Sequence, residues 1–241
     1  RNIPKVREQM ITSEAVLYGG LKYDSSPIAT QKESSIHYST NRSIQENLFD
    51  LMTDSITKEF RSSNKYLPWT KVEVDSIYTL LSNSKKVKEV RLYKEEKGVE
   101  ESFKMLSGNS PSIIHIATHG LFVDDNPTDH ACLLGGCRSD NSFGSSALIL
   151  SGANNVWSGK TVPDGVEDGI LLAEEIATMN LTETELVVLS ACETGLGKIT
   201  SEGVFGLQRA FKKAGVQTII MSLWKVDDAA TSMFMQAFYK H

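Results

Sequence analysis

"SIIHIATHG", residues 112–120, is the stretch on which the fold turns. It is nearly all apolar and β-branched, and it lacks the polar alternation of a half-buried strand. Such a segment reads as a strand buried on both faces, the kind found in parallel sheets covered by helices. "ELVVLSA" (185–191) and "QTIIMSLW" (217–224) have the same character. "AVLYGGL" (15–21) and "VKEVRLYKEE" (87–96) complete a set of five strands.

Helical patterns stand between them. "LPWTKVEVDSIYTLL" (67–81) opens on Pro68 and repeats Val74, Ile77, Tyr78 and Leu81 at helical spacing. "VEESFKMLSG" (99–108) ends in Gly108. "GILLAEEIATMN" (169–180) places Leu172, Ile176 and Met179 on one face. "GVFGLQRAFKKAG" (203–215) turns Val204, Leu207, Phe211 and Ala214 inward, and its two terminal lysines suit the helix dipole. "DDAATSMFMQAFYKH" (227–241) has Asp227 as N-cap, and Ala230, Met233, Phe234, Ala237 and Phe238 mark an apolar face. Residues 25–65 and 121–167 read as long insertions. The first carries a local helical pattern at 47–60, and the second is broken only by the apolar "ALILSGA" (147–153). Strands alternating with helices predict an α/β fold with a mostly parallel central sheet, in one domain over 1–241.

Composition narrows the function classes. The chain has 241 residues, 40% of them hydrophobic, enough for one substantial core. A net charge of −5 favours neither nucleic acid nor an acidic membrane surface as partner. The apolar runs fall far short of the ~20 residues that cross a bilayer. Three cysteines make no disulfide framework, so a reducing compartment, the cytoplasm, is expected. The first residue is Arg1 and no leader pattern follows, so the chain is expected to be a piece of a longer protein.

In open parallel sheets the site lies beyond the carboxyl ends of the strands. Two such ends read Thr118-His119-Gly120 and Ala191-Cys192-Glu193. If the two strands are neighbours, His119 and Cys192 stand about 5 Å apart plus side-chain reach. A thiol beside an imidazole is the minimum set for covalent acyl transfer. The backbone N–H groups of Gly120 and Cys192 could form an oxyanion hole. Taken alone, a cysteine at a strand end is more often a packed thiol than a nucleophile. His115 would lie ~13 Å from His119 along the strand, too far to share a metal, and reads as a satisfied core histidine. Cys132 and Cys137, with His130 nearby, lack the second ligand pair of a zinc site. Gly159-Lys160 and Gly197-Lys198 have Asn154 and Cys192 where a phosphate loop needs glycine. No metal and no cofactor is expected.

"LYGGLKYD" (17–24), "YLPWTKVEV" (66–74), "IIHIATHGLF" (113–122), "EDGILLAEEIATMNL" (167–181), "LVVLSACETGLG" (186–197), "EGVFGLQRAFKKAG" (202–215) and "IIMSLWKVDD" (219–228) stand in order along the chain. Together they resemble the CHAT family, caspase-like cysteine peptidase domains often fused to tetratricopeptide repeats. The resemblance implies a caspase/separase-like three-layer α-β-α sandwich. It implies a catalytic dyad on His119 and Cys192, and hydrolysis of peptide bonds through a thioester. Protein or peptide substrates, and a regulatory repeat region or activating partner, are the implied partners; a non-catalytic scaffold is the alternative. Asp24, Ser190, Trp224, Asp227 and Asp228 are the candidates for the substrate pocket, where acidic groups would favour Arg or Lys. The competing roles are a helix cap for Asp227 and a turn closure for Asp24. Leu172 stands where the family has a capping Thr, and Trp69 where it has a small residue. A final family strand after residue 241 is expected to be missing, leaving the strand at 217–224 as an apolar edge.

Overall fold

The computed structural model describes residues 13–37, 65–123, 145–193, 201–222 and 226–240. Among the described residues fourteen elements follow one another: β1 (Ser13–Leu21), α1 (Pro27–Ile36), α2 (Pro68–Ser82), β2 (Val87–Glu95), α3 (Glu100–Lys104), β3 (Ile113–Val123), β4 (Ser145–Ile149), α4 (Asn154–Trp157), β5 (Ile170–Leu172), α5 (Ala173–Thr178), β6 (Leu186–Glu193), α6 (Ser201–Lys213), β7 (Thr218–Met221) and α7 (Asp228–Phe238). The seven strands form one sheet. Its parallel body runs β2-β1-β3-β6-β7, and β4 and β5 join by antiparallel pairing.

Both faces of the body are covered, as the unbroken apolar strands require. Ala15, Leu17, Ala117 and Val188 pack with Val74, Ile77 and Leu81 of α2 and Met235 of α7. The alternate residues Val16, Tyr18, Ile114, Ile116, Val187 and Leu189 pack on the other side with Phe103, Ile176 and Phe211. The chain is thus a three-layer α-β-α sandwich with a mostly parallel central sheet. Gly19 lets α2 come close to β1: a Cβ there would lie 2.6 Å from Val74 Cγ1 and 2.8 Å from the Thr70 carbonyl. The Gly20 N–H then donates to Thr70 Oγ1 at 2.9 Å.

Several expectations change in the structure. β3 does not stop at Gly120 but runs to Val123, because residues 120–123 find a new partner in β4. The expected helix over 169–180 divides into β5 and α5. Ile170–Leu172 pair with Ile149–Ala147, which holds them extended. Gly169 makes the turn at φ +81, and a Cβ there would meet the Ala153 nitrogen at 2.9 Å. Leu172 caps α5 without a side-chain acceptor, and the Glu175 carboxylate takes the Leu172 N–H at 2.9 Å instead. Residues 27–36, inside the first expected insertion, form α1 on a Ser26 cap. The helical pattern at 47–60 lies outside the described residues.

α7 shows the largest departure. Met233 and Phe234 are 70% and 63% exposed, while Ser232 and Met235 are buried. The apolar repeat therefore faces outward. Polar anchors set the helix's rotation. The Tyr239 hydroxyl meets His115 Nδ1 at 3.3 Å, and the Asp228 carboxylate accepts the Trp69 N–H at the start of α2. Leu67, the N-cap of α2, offers no acceptor of its own. Ser232, Met235 and Tyr239 consequently turn to the sheet, one or two turns apart. Among the described residues no helix is long and apolar enough to cross a membrane.

A charged cluster ties α3, the turn before β5 and α5 together. Lys104 Nζ meets Glu100 at 2.7 Å, Glu167 at 2.9 Å and Glu175 at 2.7 Å. Glu100 also accepts the Gly169 N–H, and Asp168 the Ile170 N–H. Burial, and then the neighbouring carboxylates, raise Glu100 and Glu167 above the usual carboxylate range, against the pull of Lys104. Loss of water, and then neighbouring Glu175, push Asp168 up to about 6. A raised carboxyl pKa means that the folded state holds the proton more tightly. Its contribution to stability is therefore lost as pH rises from the ordinary range through that value. Relative to Asp168→Asn, the wild-type chain should lose about 1–3 kcal/mol of unfolding free energy between pH 4 and pH 7. Urea denaturation at both pH values checks this.

Candidate active site

β3 and β6 are direct parallel neighbours, and their register pairs His119 with Cys192. Paired positions on adjacent strands lie about 4.8 Å apart and share a face of the sheet. The two residues singled out from separate strand ends are thus side by side. His119 sits where β3 exchanges its partner on one edge, from β1 at residues 113–116 to β4 at 120–123. Gly120 pairs with Glu193 on β6 and with Leu148 on β4. β4 therefore lies on the edge opposite β6, beyond the end of β1.

The imidazole of His119 is 2% exposed. Its Nε2 lies 2.7 Å from the Lys65 carbonyl oxygen. A carbonyl only accepts, so Nε2 carries the proton and the neutral ring has its lone pair at Nδ1. Nδ1 is buried and has no hydrogen-bond partner among the described residues. Burial holds the His119 pKa below the ordinary histidine value, against the opposing pull of the Lys65 carbonyl. A neutral imidazole with one nitrogen anchored and the other unengaged has the form that a general base needs.

Tyr23, two residues beyond β1, lies across the ring of His119 with centroids 5.0 Å apart and planes at 51°. Its hydroxyl meets Thr118 Oγ1 at 3.0 Å. Burial pushes the Tyr23 phenol up, so it stays a neutral donor. Neither Tyr23 nor the Lys65 carbonyl was marked by sequence. A backbone carbonyl has no residue signature, and an aromatic after an apolar strand reads as ordinary core.

The other expected site residues fall into two groups. Ser190 is buried within β6, paired with Ala117, two residue pairs before the His119 level. Asp24 Oδ1 accepts from Asn154 Nδ2 at 2.8 Å. Asp227 caps α7 by accepting the Ala230 N–H at 2.9 Å. The cap is the role that the contact of Asp227 fills, whereas Asp24 bonds a residue 130 positions away rather than closing a local turn. Asp228 is also engaged, at the start of α2. Trp224, Cys132, Cys137 and His130 lie outside the described residues. His115 is fully buried, with Nε2 2.8 Å from Glu73 Oε1 and Nδ1 facing Tyr239, the satisfied core histidine that was expected. A water-sized hollow between α1 and the turn at Glu167 and Asp168 contains none of the expected site residues.

The sequence pattern of the CHAT domain family matches residues 21–241. The chain belongs to the CHAT domain family. Its caspase-like architecture is the one described above. Two relatives carry the name tetratricopeptide repeat protein 28. The human protein is 31% identical over 141 residues, 52% of this chain and 5% of its own length. The mouse protein is 35% identical over 107 residues, 42% of this chain and 4% of its own. This CHAT domain thus spans a small part of the relatives it matches.

Asp227→Ala should lower unfolding stability by about 1 kcal/mol and Asp227→Asn by much less, since Asn caps nearly as well. Chemical denaturation of the three chains measures the difference.

Proposed function

We propose that this CHAT domain is a cysteine endopeptidase. The observation that carries the reading is the in-register pairing of Cys192 with a buried histidine whose lone pair lies at Nδ1. His119 Nδ1 takes the proton from the Cys192 thiol, and the sulfur attacks the carbonyl carbon of a peptide bond. The Cys192 N–H receives the oxyanion, while Gly120, expected as the second donor, is paired on both sides within β3. The tetrahedral adduct collapses, the C–N bond breaks, and the amine leaves with the proton from His119. The thioester that remains is hydrolysed by a water that His119 deprotonates, which frees the acid and restores the thiol. The first amine departs before water attacks, so the proton cycle closes on one imidazole.

The substrate is a protein or peptide. Its side chain before the scissile bond would meet residues around Asp24, Ser190, Trp224 and Asp227, and acidic groups there favour Arg or Lys by charge. A thiol nucleophile suits a reducing compartment, and the cytoplasm is the location this reading assigns. The names of the relatives favour a tetratricopeptide repeat region as the regulatory partner. The 2% exposure of His119 favours a second reading, a non-catalytic scaffold in which the closed site is held permanently shut.

A peptide carrying an electrophilic warhead should label Cys192 in the wild-type chain, and mass spectrometry locates the adduct. His119→Ala should slow labelling by a factor on the order of 10²–10⁴, and Cys192→Ala should abolish both labelling and cleavage. A peptide library profiled against Cys192→Ala gives the side-chain preference. A folded chain that stays unlabelled and cuts nothing, with its repeat region supplied, would favour the scaffold.

A further inference from the structure

The bond from Nε2 to the Lys65 carbonyl is one restraint on the His119 ring, which a half-turn about Cβ–Cγ would have to break. A histidine side chain turned by half a revolution would exchange its nitrogens and carbons and withdraw Nδ1 from the position it holds. Tyr23 lies across the ring on the path of that turn. Tyr23 is itself held from several directions. It is 2% exposed. The Thr118 hydroxyl donates to the Ile149 carbonyl at 2.5 Å, so its oxygen is left to accept the Tyr23 hydroxyl proton. The His119 backbone N–H reaches the same phenol oxygen. At the main chain, the Tyr23 carbonyl accepts the Asn154 N–H at 3.0 Å, and the preceding Lys22 carbonyl accepts the Gly152 N–H at 3.1 Å. The aromatic ring is therefore fixed to β3, to the last residue of β4 and to the turn that enters α4.

We propose that Tyr23 is a positioning residue for His119, holding the imidazole in the rotamer and tautomer that present Nδ1 as the base. It rests on the peptidase reading only for the use made of Nδ1. Through Thr118 and Ile149, the placement of the base depends on β4 and on the turn at 150–154, and not on β3 alone. An aliphatic side chain at position 23 would fill part of the space but would neither stack on the ring nor bond Thr118. A phenylalanine would keep the stack and lose the bond.

Nitrogen-15 NMR of histidine-labelled chain reads the tautomer of His119 directly. The wild-type chain should show a neutral ring protonated at Nε2. Tyr23→Leu should show averaging of the two tautomers and a raised His119 titration midpoint, because the ring is wetter and freer. Tyr23→Phe, which keeps the stack and loses only the Thr118 bond, should return most of the wild-type pattern. The rate of Cys192 alkylation by iodoacetamide near pH 7 should drop at least about tenfold in Tyr23→Leu, and its pH profile should shift with the His119 midpoint. If Tyr23→Leu does not fold, Tyr23→Met, which also removes the stack, carries the test and should move the His119 signals in the same direction. His119 signals and midpoint unchanged in folded Tyr23→Leu, or in folded Tyr23→Met where it stands in, overturn the proposal. The His119 spectrum needs no reaction of the thiol. A wild-type chain whose Cys192 ignores the peptide electrophile therefore defeats the peptidase reading and leaves the role of Tyr23 separately measured.

Discussion

β3 is hydrogen-bonded along both edges, and one edge changes partner part-way. β6 runs beside it from residue 113 to 120, while β1 on the other side yields to β4 between residues 116 and 120. A backbone paired on both sides cannot slip, because a one-residue shift would turn Ile114 and Ile116 out of one layer and His115 and Ala117 out of the other. That register sets His119 beside Cys192. The change of partner opens the gap on the β1 side of β3 into which Tyr23 fits. The site is a consequence of how β3 is paired before it is a consequence of any loop.

Polar contacts then decide what the layers do at their ends. Apolar burial drives the sandwich together, but it is indifferent to the rotation of a helix that has apolar residues on two faces. α7 is such a helix. Its rotation follows from Asp227, Asp228 and the Tyr239–His115 contact, and its larger apolar side chains stay in water. The same economy appears around α2, where Asp228 supplies the acceptor that Leu67 lacks, and around α5, where Glu175 serves a cap that Leu172 cannot. In each case a side chain distant in sequence or one turn away completes a helix end. The cluster around Lys104 works differently. It joins three segments through charge and leaves the surplus carboxylates costly to ionise.

How much of this was legible beforehand depends on the range of the force involved. The parallel body could be read because buried strands must be apolar on both faces, and 112–120 and 185–191 are. The positions of the proposed dyad could be read because strand ends are where such sheets expose chemistry. β5 could not be told from a helix start, since "ILL" suits either and only pairing with Ala147–Ile149 holds it extended. The role of Asp227 as cap was legible from its place before an apolar repeat, whereas the bond from Asp24 to Asn154 joins residues 130 apart and has no local signal.

The sequence by itself determined the α/β layering, the order of the parallel strands' helices and the two residues, His119 and Cys192, on which the proposed chemistry rests. These follow from periodicity and composition, which act over a few neighbouring residues. Only the tertiary structure decided the register that pairs them, the Lys65 carbonyl that sets the proton on Nε2, the Tyr23 ring against the imidazole and the outward turn of α7. Each of those is a contact between segments far apart in the chain. Backbone carbonyls and ring faces carry no mark in the letters of a sequence, so their partners exist only once the sheet has brought them together.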